Sequence, residues 1–174
     1  MTPALSAFNT AGDERLRTRL RSCCAAEPWV RRVLAARPYA TAAELFAASD
    51  AAVGELDDAG LSQALGGHPR IGERQSAHTG EDRASTWSRQ EQAGVASAEA
   101  ELLAAIAVAN AEYERRFGHV YLVCATGRGA AELLDVCRAR LDNDRETERG
   151  VVLGELAKIN RLRLSKLLSE ELQP

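Results

Sequence analysis

Three residues sit where ordinary folding would not put them, and each has chemistry to offer. His68 lies in GGHPRIGER, residues 66–74. The proline after it disfavours the α region for the histidine, and Gly66 and Gly67 permit a tight approach, so the imidazole is carried on a shaped loop suited to acid–base work. A solvent-exposed or helix-capping histidine fits the same pattern. Taken at 100° per residue, Val152, Leu156, Ile159 and Leu167 define an apolar stripe on the last helix, with Arg163 inside it and Arg161 pointing away. A guanidinium on a core face needs an anion, which is either an internal carboxylate, a helix C-terminus or an anionic ligand. Glu91 falls one turn before Val95 and opens the stripe Val95, Leu102, Ile106, Tyr113 and Phe117 with a carboxylate. Ser88 and Glu91 also spell S-x-x-E, a capping box in which Ser88 caps the helix and Glu91 bonds back to its N–H; from periodicity alone this capping reading comes first.

The elements that must position these groups are helical. Ala, Leu, Arg and Glu dominate, and the apolar pattern predicts an all-α, single-domain bundle over residues 1–174, of about seven to nine helices. The predicted helices run over 13–25, 28–36, 41–48, 50–65, 88–116, 129–141 and 145–169, the second opened by Pro28 and closed before Pro38. Residues 72–87, GERQSAHTGEDRASTW, have no apolar period and read as a surface loop able to serve as a lid. Tyr121-Leu122-Val123-Cys124-Ala125 is a short apolar run between Gly118 and Gly127, expected as one extended segment buried between helices.

Composition narrows the class. The 22 basic and 25 acidic residues are interspersed along the chain, so neither nucleic acid nor an anionic membrane is an expected partner. Cys23, Cys24, Cys124 and Cys137 form no C-x-x-C pair and no zinc-ligand cluster with histidine, so no metal site or disulfide framework is expected and reduced thiols in a cytoplasm fit best. The N-terminal MTPALSAFNTAGDERLRTRL has no signal-peptide pattern, no window reaches the length of a membrane span, and EELQP carries no peroxisomal address.

Taken together, HPRIG at 68–72, SRQEQAGV at 88–95, RFGHVYLVCATGR at 116–128 and ELAKINRLRL at 155–164 resemble the 2-oxo-4-hydroxy-4-carboxy-5-ureidoimidazoline (OHCU) decarboxylases of urate degradation, in the form of the bacterial members. The resemblance covers nearly the whole chain. It implies a cofactor-independent carboxy-lyase that converts OHCU to (S)-allantoin, since the substrate's own ring C=N can take up the electrons released with CO₂. It also implies His68 and Glu91 as catalytic residues and Pro69, Ser88, Gln92, Arg163 and the segment Tyr121, Leu122, Val123, Cys124 and Ala125 as substrate-binding, the last largely through its backbone. A homodimer is the family expectation. The chain departs from the family pattern at His119 and Val120, where Phe-Pro is common, and this bears on the shape of that wall. Two other classes are open to the same residues: a non-catalytic ureide-binding helical module, and an all-α interaction domain in which Arg163 and Glu91 form an internal ion pair.

Overall fold

A computed structural model describes residues 2–73, 83–96 and 98–170. Nine helices and no strands are found among them: α1 (Pro3–Thr10), α2 (Asp13–Cys23), α3 (Glu27–Ala35), α4 (Ala42–Gly54), α5 (Asp58–Gly66), α6 (Arg83–Glu91), α7 (Ala100–Phe117), α8 (Ala130–Arg140) and α9 (Arg145–Glu170). The fold is all-α, as the periodicity predicts. No described helix is long and apolar enough to cross a membrane. The chain divides into two compact units, Met1–Gly67 with Leu156–Pro174, and His68–Glu155.

In the first unit α3 packs against α2, α4 and α5 and buries Trp29, Val30 and Val33 completely. The sequence misses α1, which begins at a short local signal: Thr2 Oγ1 accepts the Leu5 N–H at 3.3 Å and Pro3 occupies the first turn. The break predicted at residue 49 is not there. Helix α4 runs through Ser49, whose hydroxyl and carbonyl oxygens both accept from the buried Trp29 Nε1 at 3.2 Å, so a tertiary contact satisfies the residue that looked like a stop. The interruption comes later, where Asp57 Oδ1 accepts the Gly60 N–H at 2.8 Å and caps α5.

In the second unit α7 packs on α8. Its core joins Ile106, Ala109, Tyr113 and Phe117 of α7 with Leu133, Leu134 and Cys137 of α8, and with Ile71, Val95, Tyr121, Val123 and Ala125 from irregular chain. The helix predicted over 88–116 is two helices. Between them Ala93, Val95 and Ala96 N–H groups bond three residues back, as turns. Gly94 shows why: a Cβ there would lie 2.2 Å from the Arg128 carbonyl oxygen, so the chain leaves the helix where another backbone crosses it. Residues 83–87, predicted as loop, open α6. Residues 74–82, most of the predicted lid, lie outside the described residues.

Candidate active site

The HPRIG loop is held at successive atoms. His68 is half-buried and Pro69 follows it with a locked φ. Two residues on, the Gln92 amide meets the turn at both ends: its Nε2 donates to the Arg70 carbonyl at 3.4 Å and its Oε1 accepts the Gly72 N–H at 3.0 Å. Asn110 Nδ2 donates to the Ile71 carbonyl at 2.9 Å, and the Ile71 side chain is buried in the core. Gly72 has φ +79°, a conformation that a side chain would strain, and the turn closes there. The Arg70 side chain makes two bonds to the Glu114 carboxylate, at 2.6 and 3.0 Å, which hold that carboxyl below its usual range.

A cavity of about 430 Å³ opens beside this loop, lined by Pro69, Gly72, Ser88, Gln92 and Val95. Three of the predicted binding residues, Pro69, Ser88 and Gln92, therefore share one cavity wall. Glu73 and Arg89 also line it. Sequence reasoning passed over both, although Arg89 sits inside the S-x-x-E-Q segment and charged residues beside a cavity are its polar recognition groups. Ser88 does not cap a helix: it lies inside α6, and its carbonyl accepts the Gln92 N–H at 3.1 Å. The capping-box reading is thus overturned. The S-x-x-E spacing recurs along any helix, and here the helix begins five residues earlier. Glu91 is the last residue of α6 and is 9% exposed. A carboxylate at a helix C-terminus opposes the macrodipole, so the helix end itself does not favour it.

Tyr121–Ala125 runs without helix or strand pairing, and alternation sorts its side chains. Tyr121, Val123 and Ala125 enter the core of the second unit, and the Tyr121 hydroxyl donates to the Leu133 carbonyl at 3.1 Å. Its backbone is held by charge. Arg140 Nη1 donates to the Leu122 carbonyl at 2.8 Å, and the Glu155 carboxylate accepts the Cys124 N–H at 2.8 Å. Arg140 is itself gripped by Glu148 through Nε at 2.8 Å; Glu148 also accepts from the Tyr113 hydroxyl and, at 2.8 Å, from Asn143 Nδ2. The Arg140 guanidinium stands 4.9 Å from the Tyr121 ring centre. Arg140, Glu148 and Tyr113 are 6%, 1% and 0% exposed. Burial, then the bond to Glu148, pushes the Tyr113 phenol up. Burial also raises the Cys124 thiol, with the Thr126 backbone opposing and the carboxylates of Glu155 and Glu91 raising it further. Glu91 is thereby within electrostatic reach of the Tyr121–Ala125 segment.

Arg163 belongs to the first unit. It is 2% exposed, on the face predicted for it, while Arg161 is exposed and paired with Asp50 at 2.6 Å. Arg163 Nη1 reaches the carbonyl of Cys23, the last residue of α2, at 3.4 Å, so the helix C-terminus anticipated as one partner is present. Burial raises the neighbouring Cys24 thiol, with the Ala26 backbone, Asn160 and Arg163 drawing it down. Among the described residues no three His, Cys, Asp or Glu side chains come together as metal ligands.

A family model for OHCU decarboxylase matches residues 9–165. The chain is 26% identical over 149 residues to the uric acid degradation bifunctional protein TTL of Arabidopsis thaliana, covering 86% of this chain and 46% of that protein. It is 31% identical over 139 residues to the 2-oxo-4-hydroxy-4-carboxy-5-ureidoimidazoline decarboxylase of Amia calva, covering 78% and 77%. With the bifunctional protein PucL of Bacillus subtilis (strain 168) it shares 26% identity over 144 residues, 82% of this chain and 28% of PucL. It thus spans about half of the first relative and about a quarter of the last. A crystal structure of an OHCU decarboxylase in the presence of (S)-allantoin superposes with a TM-score of 0.72 at 23% identity, covering 91% of this chain and 99% of that one. An (S)-allantoin synthase structure gives 0.68 at 16% identity, covering 94% and 53%. At these identities the structural likeness is one of fold. The match along 9–165, which contains each of the segments assembled above, is one of family: the chain belongs to the OHCU decarboxylases.

Proposed function

We propose that this chain is a carboxy-lyase that converts OHCU to (S)-allantoin in urate degradation, without a cofactor. The observation that carries the proposal is the family match over residues 9–165, which includes His68, the Ser88–Gln92 segment, Tyr121–Ala125 and Arg163. The substrate carries a carboxylate and a hydroxyl on one ring carbon beside a ring C=N. When the bond to the carboxylate breaks, its electron pair forms a C=C bond to the neighbouring carbon and the C=N pair moves to nitrogen, which takes a proton. The hydroxyl then loses its proton to become the ring carbonyl as the neighbouring carbon gains one, and that second protonation sets the configuration.

His68 serves as the acid or base at the hydroxyl. Arg163 binds the anionic or carbonyl edge of the substrate. Glu91 accepts from the ring and ureido N–H groups, with Ser88, Pro69 and the backbone of Tyr121–Ala125 completing the contacts. Gln92 retains one Nε2 hydrogen beyond its bond to Arg70 and offers it to the ligand. A cavity of about 430 Å³ lies in the range of small-molecule sites. Residues 1–174 act as one functional domain, in the cytoplasm and as a homodimer.

The test generates the substrate in situ from urate with urate oxidase and hydroxyisourate hydrolase and follows allantoin by circular dichroism. Rapid formation of a single enantiomer is expected with the wild type. His68→Ala should lower turnover by on the order of 10²- to 10⁴-fold while leaving the protein folded. No acceleration by the wild type would overturn the proposal and favour a ureide-binding module.

A further inference from the structure

Asn110 stands on the buried face of α7, in line with Ile106, Ala109, Tyr113 and Phe117, and is 4% exposed. An amide on an apolar helix face is expensive unless both ends are met. Here one end is met, by Nδ2 donating to the Ile71 carbonyl at 2.9 Å, while Oδ1 is buried with no hydrogen-bond partner among the described residues. An apolar side chain there would remove the orphan oxygen and match its apolar neighbours. Core packing therefore does not explain the asparagine, and the bond to Ile71 does.

That bond fixes the loop at its middle. Gln92 already holds Arg70 O and Gly72 N–H, and without Asn110 the carbonyl between them, on a residue 5% exposed, would be left without this donor. Three residues upstream is His68, and one of the intervening backbone torsions is locked by Pro69. The Ile71 carbonyl and the histidine thus belong to one short turn, which is held from outside at Arg70 O, Ile71 O and Gly72 N–H, so releasing the middle point loosens the turn that carries the imidazole.

We infer that Asn110 is a positioning residue that poses His68 for proton transfer by holding the Ile71 carbonyl. The inference rests on the decarboxylase reading and adds to it a residue that does not touch substrate.

The test is Asn110→Leu in the full chain, in wild-type and His68→Ala backgrounds, with Asn110→Ala as a second variant in case the leucine overpacks. In the wild-type background kcat is expected to fall on the order of 10- to 100-fold, since a misplaced group acts as a lost one. KM should move far less, and the protein should stay folded, with a melting temperature lowered by a few degrees for the lost buried hydrogen bond. In the His68→Ala background the same substitution should cause no further loss, because it acts through a ring no longer there. A wild-type kcat in Asn110→Leu, or an equal loss in both backgrounds, overturns the inference. A wild type that does not accelerate allantoin formation defeats the proposed function instead. The positioning claim is then read from the His68 ring resonances, identified by their loss in His68→Ala. A shift in Asn110→Leu supports it, and unchanged resonances overturn it.

Discussion

Two irregular segments of the second unit carry candidate site residues, and they are held by different physics. The HPRIG loop is fixed mainly by neutral amides, Gln92 and Asn110, with an ion pair at its exposed margin. Tyr121–Ala125 is fixed by buried charged side chains: Arg140, in an ion pair with Glu148, donates to one carbonyl, and Glu155 accepts the N–H two residues on. Neutral hydrogen bonds contribute roughly 1 kcal/mol each and can be lost one at a time. A buried ion pair is all-or-none, since removing one partner strands the other's charge in the interior. The first arrangement lets the pose of the loop be altered one bond at a time. The second suits a wall whose backbone must keep one shape.

The contrast can be broken most directly at Arg140. Arg140→Ala leaves Glu148 buried without its cation and is expected to cost about 3–5 kcal/mol in thermal or denaturant unfolding; a loss below about 1 kcal/mol would show that the two segments are not anchored differently. Glu155→Leu deprives the Cys124 N–H of its acceptor and should cost about 1–3 kcal/mol, whereas Glu155→Gln, which keeps an acceptor oxygen, should cost much less. Equal losses for the two variants would mean that charge, and not acceptance, matters at that point. The smallest effect belongs to the exposed pair of the loop. Glu114→Gln should change stability by about 0.2–1 kcal/mol. Because Arg70 lowers the Glu114 carboxyl, that contribution is present above the ordinary carboxylate range and is lost as pH falls through the lowered value. The stability difference between wild type and Glu114→Gln should therefore vanish in acid and return at neutral pH.

How far the sequence exposed this arrangement depends on the range of the interactions involved. The opposite orientations of Arg161 and Arg163 follow from helical period alone, and α8 and α9 begin and end within a residue or so of the predicted bounds. The single helix over 88–116 fails because Ala-rich chain keeps helix propensity across a break caused by the Arg128 backbone, a partner 34 positions from Gly94. The capping box fails because a local spacing cannot say which turn of a helix it occupies. The anchors are more distant still: Asn110 reaches across 39 residues to Ile71 and Glu155 across 31 to Cys124. For Asn110 a signal was available, as a polar residue near an otherwise apolar stripe between Ile106 and Tyr113, and the reasoning that found Arg163 would have found it had it been applied to uncharged amides. Glu155 sits 100° around the helix from Leu156, off the stripe, and helical period does not single it out.

Gly94 has a consequence for how the sequence can drift. Gly54, Gly150 and Gly154 have open space where a Cβ would stand, and substitution there meets no neighbour. At Gly94 the first carbon of any side chain would collide with main chain, which no rotamer can avoid and no repacking of side chains can relieve. Positions 94 and 128 thus form a paired constraint in which only one partner shows its identity: the contact asks nothing of the side chain at 128, because its oxygen is common to all amino acids, while residue 94 is restricted to hydrogen. A lineage that lost this glycine would have to move the segment between α6 and α7, and with it the cavity wall that Gln92 and Val95 share.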